Sequence, residues 1–474
     1  MAKCKHICEF GTIWNSRDFH PEKPKDSFDC LFLDDSSFQS LKNFVAENND
    51  PASEIEQAFS LQRKKGRDFI QVKNYAGVIE TRQGTVIEIL PKIVQSENSD
   101  EPMKIKEAKT VLMKMLRSLR NSPFKSIDQA HLKASRMPIL EIFISVFLKE
   151  MELLLKRGIK HHYSSTEENQ IFLKGRLLFS ENLKQNLVRR ERFYVHFDEF
   201  KADIPQNRIL KSALVYLKDK SKSAKNILQI ISFLHLFEEV SECNHLNKDL
   251  QNLKGQNRLF NHYELALRWA KVFLQNKSFT SYKGNHLNTA ILFPMEILFE
   301  SYVSHKIKQT YPHWEISTQD KKHFLVSDLN LSQNKFRIRP DMVIHHNELT
   351  IVADTKWKMI NEDLPSANYN ISQTDMYQLF AYGKKYQQNN GNTHLILIYP
   401  AHPGFNRQLH FQYEEDLKID IFPFDFQDET NSLKVYEEIF SPKYLVPEIF
   451  LTGITRQNIH QEIDTGRATG NEIW

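Results

Sequence analysis

Arg339-Pro340-Asp341-Met342-Val343-Ile344-His345-His346-Asn347-Glu348-Leu349-Thr350-Ile351-Val352-Ala353-Asp354-Thr355-Lys356 is the stretch on which the reading of this chain turns. It holds two β-branched, apolar runs, Met342 to Ile344 and Leu349 to Ala353, around a polar Asn347-Glu348 break. That pattern predicts a hairpin. A two-residue turn at Asn347-Glu348 sets His346 against Leu349, and counting outward sets Asp341 opposite Asp354. Alternation puts Asp354 and Lys356 on one face of the second strand, with Ile351, Ala353 and Thr355 on the other. Two facing carboxylates repel. A divalent cation that takes oxygen ligands, such as Mg²⁺, removes that repulsion. Lys356 adds a positive charge where a phosphate or an activated water could sit. These side chains lie at strand ends and are not expected to be core. The plain alternative is an exposed hairpin carrying an Asp354–Lys356 salt bridge.

At 474 residues the chain has material for two or three domains with sizeable cores. Lys and Arg number 63 against 59 Asp and Glu, so no global charge imbalance marks nucleic-acid binding. Any DNA contact must come from local patches. Phe at 33 is high and Gly at 14 is low, which points to packed elements rather than flexible linkers. Cys4, Cys8, Cys30 and Cys243 form no paired framework, and Cys4-x-His6-x-Cys8 lacks a second ligand pair at zinc spacing. Free thiols in a reduced, cytoplasmic protein are expected. The N-terminus lacks a secretory apolar region. The apolar stretch Met137 to Leu148 contains Glu141 and is too short to span a bilayer.

Taken in order, Cys30 to Leu33 reads as strand, and Asp35-Ser36-Ser37 caps a helix ended by Asn48-Asn49-Asp50-Pro51. Phe69 to Val72, Tyr75 to Ile79 and Val86 to Leu90 read as a meander of strands, with a turn at Gln83-Gly84. Ser96 to Asp100 reads as a loop. Helices are expected over Lys106 to Arg120, Pro138 to Arg157, Asn182 to Arg190, Ile209 to Leu217, Ala224 to Glu239 and His262 to Asn276. Phe172 to Leu177 reads as a strand. Arg189-Arg190-x-Arg192 is the most basic run of this half and is read as a solvated helix end. A helix near Pro294 carries Glu296 and Glu300 one turn apart. Thr374 to Gln387, with Asp375, Gln378 and Tyr382, is helical. Leu395 to Tyr399 is a continuous apolar run, as a buried strand should be.

The spacing Pro-Asp, a dozen residues, Asp-x-Lys resembles the PD-(D/E)xK nucleases. The order helix, hairpin, helix, buried strand also resembles their core. In that superfamily the first helix often supplies a further acidic ligand; Glu300 matches it, with Glu296 as substitute. Gln378-x-x-x-Tyr382 resembles the Gln-x-x-x-Tyr element of the RecB-like branch. More of the chain resembles the McrC family, from about residue 30 to 410. The matching pieces are Asn74 to Ile79, Ile87 to Ile93, Leu173 to Arg176, Asp203 to Lys211, Leu298 to Val303 and Tyr377 to Gly383. Ala76 stands where the family often has Val, and the tail after about Gly404 matches no pattern.

The resemblance implies an α/β fold: a mixed-sheet PD-(D/E)xK nuclease core at the C-terminus, preceded by an α+β N-terminal module. It divides the chain into a lead-in over residues 1–65, a McrC-like module over 66–285 and an endonuclease domain over 286–474. McrC is the nuclease subunit of methylcytosine-specific McrBC systems, in which a separate AAA+ GTPase, McrB, forms rings and reads modified DNA. The McrC-like chain is then expected to dock on the ring through its N-terminal module, stimulate GTP hydrolysis and cut double-stranded DNA. No G-x-x-x-x-G-K-[ST] occurs in the sequence, so GTP is expected on the partner. By resemblance Asp341, Asp354 and Glu300 hold one Mg²⁺ or two, Lys356 orients the attacking water or stabilises phosphate charge, and Gln378 positions Lys356 or the DNA backbone. Two rivals remain: a ring-stimulating adaptor with a vestigial site, and a stand-alone repair or recombination nuclease.

Overall fold

A computed structural model describes residues 4–20, 24–47, 58–92, 100–119, 122–127, 137–253, 258–274, 287–346, 349–387, 392–429 and 432–433. The expected Asn347-Glu348 turn, the helix stop at Asn48 to Pro51, residues 96–99 of the expected loop and the tail beyond residue 433 lie outside them. The chain forms two compact units, Met1–Val303 and Ser304–Trp474. No helix among the described residues is long and apolar enough to cross a membrane.

Two strands of the expected meander organise the first unit, whereas the third, Phe69 to Val72, pairs in a second sheet and not with its neighbour in the chain. Tyr75–Thr81 and Val86–Leu90 pair antiparallel, with Val78 facing Glu88. Cys4–Cys8 joins the latter in parallel and Leu287–Pro294 joins the former antiparallel, completing a four-stranded sheet. A second four-stranded sheet has the spatial order Cys30–Leu33, Thr12–Asn15, Arg67–Val72, Phe59–Lys64. The helix Asp35–Glu47 buries Phe38, Leu41, Phe44 and Val45. They share one apolar cluster with Ile13 and Ile70 of one sheet and Ile79 and Ile89 of the other.

Gly77 is held where no side chain fits. Its φ is +147°, and a Cβ there would lie 2.0 Å from the Ile291 carbonyl oxygen of the paired strand. The neighbour is backbone and cannot swing aside. Gly77→Ala is expected to destabilise the first unit by about 3 kcal/mol or more, read as a lower denaturant midpoint at unchanged slope.

Helices Glu101–Ser118, Ile139–Leu155, Pro205–Lys220, Ala224–His235 and Glu264–Leu274 complete this unit close to their expected places. Trp269 stacks on Phe273 and meets Phe124 edge-on, which is the aromatic core that the high Phe content foreshadows. Between them, two expectations are corrected and two strands appear that the sequence pattern did not show. Only Arg176–Leu177 of the run Phe172 to Leu177 is strand. The long strands are His162–Gln170, which the pattern missed, and Phe193–Lys201, paired antiparallel. His162–Gln170 is too polar and too exposed on both faces to show the alternation of a half-buried strand. The adjoining helix runs Phe179–Asn186, so Arg189, Arg190 and Arg192 occupy an exposed turn rather than a helix end.

The second unit is a six-stranded mixed sheet in the order Glu315–Thr318, Met342–His346, Leu349–Thr355, Asn392–Pro400, Leu417–Phe424, Leu409–Glu414. Asn392–Pro400 has a parallel neighbour on each side, which is why its stretch Leu395 to Tyr399 is continuously apolar. Val343, Val352, Leu395 and Leu397 project from one face and pack with Leu379, Tyr382 and Tyr386 of the helix Gln373–Gln387. A separate two-stranded hairpin, Phe324–Asp328 with Gln333–Arg337, precedes Met342–His346.

Candidate active site

The hairpin register is the one that a two-residue turn requires. His346 faces Leu349 and Met342 faces Ala353, so the next pair outward is Asp341 and Asp354. Thr355 ties the two strands together: its N–H and its hydroxyl both donate to Asp341 Oδ2, at 2.8 and 2.7 Å. The Asp341 N–H donates in turn to the Asp354 carboxylate. Alternation places Asp354 on the same face as Val352, towards the helix Gln373–Gln387, where it pairs with Lys356.

That helix supplies the next link. Lys356 Nζ donates to Gln378 Oε1 at 3.0 Å, and Gln378 Nε2 donates to Tyr382 Oη at 2.6 Å. Tyr382 Oη donates to the Arg339 carbonyl at 3.3 Å, which closes the circuit two residues before Asp341. Gln378 and Tyr382 meet because residues four apart share a helix face. Asp341, Asp354, Lys356, Gln378 and Tyr382 therefore form one bonded cluster in the second unit. Glu300 lies in the first unit, half-buried on the helix Met295–Thr310. Glu296, on the same helix, is exposed and accepts from Asn74 Nδ2 at 3.0 Å.

Burial corrects one expectation. Asp354 is only 3% exposed, although it ends a strand, because the helix covers it. Burial pushes its carboxyl above the usual carboxylate range, against the pull of Lys356. For Lys356 burial works the other way, yet Asp354, followed by Asp341 and Asp375, outweighs it and holds the ammonium above its usual range.

Three further residues extend the cluster. Lys358 Nζ donates to both Asp375 oxygens, at 2.8 and 2.7 Å, and Tyr399 Oη donates to Asp375 Oδ2 at 3.2 Å. Asp375 is buried, and Tyr399 is pushed above the usual phenol range by burial and by Asp375. Asp375, Gln378 and Tyr382 stand at i, i+3 and i+7. A polar stripe on the buried side of a helix was thus visible in the sequence, though its partner Lys358 was not.

The donor set suits a hard divalent cation. Asp341 and Asp354 offer adjacent carboxylates, and the cluster contains neither thiolate nor imidazole. Asp354, raised by burial, is the group whose ionised form such an ion would favour. A second grouping lies in the first unit, where Cys4 and His6 meet Glu88 rather than Cys8. Lys109 Nζ already stands 2.6 Å from Glu88 Oε2 and supplies the positive charge there.

Two comparisons place the chain. No curated protein sequence matches it. Over 92% of its length it is similar to the whole of a chain in the refined half-complex from the tetradecameric assembly of Thermococcus gammatolerans McrB AAA+ hexamers with bound McrC, at TM-score 0.65 and 16% identity. A chain in the cryo-EM structure of the Thermococcus gammatolerans McrBC complex matches at TM-score 0.45 and 17% identity, covering 64% of this chain and 86% of that one. The first of these likenesses shows a shared fold. The family described as McrBC 5-methylcytosine restriction system component matches residues 70–400, which takes in both the meander and the carboxylate hairpin, and the chain belongs to that family.

Proposed function

We propose that this chain is the Mg²⁺-dependent endodeoxyribonuclease subunit of a GTP-driven, modification-dependent restriction complex. The observation that carries the reading is the bonded cluster of Asp341, Asp354, Lys356 and Gln378 in a member of the McrBC family. Asp341 and Asp354 would hold the ion, which when bound polarises the scissile phosphate and acidifies a water; Glu300 is a further ligand by resemblance alone. Lys356, kept cationic by its carboxylate neighbours, stabilises negative charge building on the phosphate oxygens. Gln378 fixes the Lys356 ammonium, and Tyr382 fixes Gln378, so the charge is already positioned when substrate arrives.

The partner in this reading is an AAA+ GTPase ring; the similar assembly holds McrB AAA+ hexamers with bound McrC. The first unit offers a surface for it. Around the strands His162–Gln170 and Phe193–Lys201, the side chains of Phe172, Phe179, Leu183, Leu187, Val188 and Phe200 are each more than half exposed. So much apolar surface on one module marks a place where another protein sits.

Glu300 and Glu296 separate a metal role from a structural one. Glu296 stands in the first helical turn, where the helix dipole favours a carboxylate, and already has Asn74 as partner. Glu300→Gln is expected to lower nicking of supercoiled 5-methylcytosine DNA, in Mg²⁺ with partner and GTP, by about 100-fold or more. Glu296→Gln should lose about 1 kcal/mol of stability and cut normally. The reverse pattern assigns the ligand to Glu296, and no nicking by the wild-type complex would sink the nuclease reading.

A further inference from the structure

The hairpin Phe324–Asp328/Gln333–Arg337 is anchored to the carboxylate cluster but takes no part in it. At its base the Gln319 N–H donates to the Asp341 carbonyl at 3.0 Å, and Gln319 Nε2 reaches Asp341 Oδ1 at 3.4 Å. The Ile338 N–H donates to the His323 carbonyl at 3.1 Å. Tyr386 Oη donates to Asp320 Oδ2 at 3.0 Å and meets the His323 ring edge-on. The base is therefore held against the same helix that carries Gln378 and Tyr382.

Beyond the base the ribbon is exposed and basic. Base and ribbon together, residues 320–339, carry Lys321, Lys322, Lys335, Arg337 and Arg339 against Asp320 and Asp328, with Lys322 Nζ 4.0 Å from Asp320 Oδ2. In a chain whose total charge is nearly balanced, this is the local patch that DNA contact requires. Its apolar side chains are also turned outward: Leu329 is 91% exposed and Phe336 is 75% exposed. Phe336 has φ +56°, a left-handed conformation that an aromatic residue rarely adopts. Two strands with a basic stem and an apolar tip match the width of the DNA major groove, which admits a two-stranded ribbon.

We propose that this ribbon enters the major groove of duplex DNA beside the scissile phosphate. Lys322, Lys335 and Arg337 contact backbone phosphates, and Leu329, Leu331 and Phe336 meet the apolar edges of bases, thymine methyl groups among them. The inference rests on the nuclease reading above and adds the element that seats the duplex. Because phosphate contacts are sequence-independent, the ribbon supplies affinity and register rather than recognition of the modified base.

The test uses the full chain with Lys322, Lys335 and Arg337 together changed to Ala, and separately Leu329→Ser with Leu331→Ser. All these residues are exposed or half-exposed, and unchanged melting serves as the check on folding. Binding to an unmodified duplex is measured across a salt series, and cleavage of a 5-methylcytosine duplex is measured in the complex with the partner ring, GTP and Mg²⁺. The triple variant is expected to bind about 10- to 100-fold more weakly, with the salt slope reduced by about 2 to 3. The tip variant should weaken binding at an unchanged salt slope. GTPase stimulation should be the same in all three proteins. Parent-like affinity and slope in both variants, while the parent binds and cuts, would overturn the ribbon's role and leave the nuclease reading standing. A change in sedimenting mass instead of DNA affinity would show that the ribbon meets a second copy of the chain. A parent that neither binds nor cuts duplex overturns both.

Discussion

Asp354→Asn and Lys356→Ala are each expected to lower DNA cleavage by about 100- to 1,000-fold, while GTPase stimulation of the partner stays at the wild-type level. The two substitutions remove different things. Asp354→Asn takes away a charged oxygen donor but keeps the shape and an acceptor for Lys356, so the fold should survive. Lys356→Ala leaves Asp354 buried without its cation, a more disruptive change because an uncompensated buried charge is costly. Asp354 can meet that change by taking up a proton, since burial already pushes its pKa up. The same shift gives a pH signature. Holding a cation needs the ionised carboxylate, and a raised pKa means ionisation is reached at higher pH. Affinity for the cation should therefore begin to fall at a pH above the ordinary Asp value near 3.8. Near-native cutting by either variant in Mg²⁺ would remove this cluster from the chemistry.

Leu183→Asp combined with Leu187→Asp is expected to abolish stimulation of the partner GTPase, and with it coupled cleavage. Both side chains are more than 60% exposed, and their spacing of four puts them on one side of the helix Phe179–Asn186 and its cap. A buried apolar anchor at a protein interface is worth about 2 kcal/mol, so each charge should weaken the partner by about 10-fold or more. Surface positions of this kind contribute little to the fold, and the melting temperature should move by no more than a degree or two. Wild-type stimulation by the double variant would place the docking surface elsewhere in the chain.

The contrast between what was and was not legible in the sequence has a physical cause. The Asp341–Asp354 pairing could be counted out because strand alternation has period two and a short turn leaves one register. Leu395 to Tyr399 was readable because a strand covered on both faces and flanked on both sides must be apolar throughout. Lys356 to Gln378 is a contact across 22 residues. No local pattern encodes it, and only the family resemblance put the two residues in one sentence. The burial of Asp354 was missed for a related reason, since the helix that covers it comes later in the chain. His162–Gln170 was missed because an exposed strand without a buried face has no alternation to read. Asp375 with Lys358 falls between these cases: its helical stripe is periodic, but its partner lies beyond the strand end, where alternation no longer applies.

The most direct measurement is scission of duplex DNA, with and without 5-methylcytosine, by the full chain mixed with its AAA+ partner, GTP and Mg²⁺. Cleavage is predicted only of the modified duplex and only when chain, partner, nucleotide and metal are all present. Lys356→Ala is predicted to lower it by about 100- to 1,000-fold without lowering GTP turnover. Cutting by the isolated chain without partner or GTP would contradict a subunit role and point to a stand-alone nuclease. Full GTPase stimulation with no scission of any duplex would contradict the catalytic role and leave a ring-stimulating adaptor.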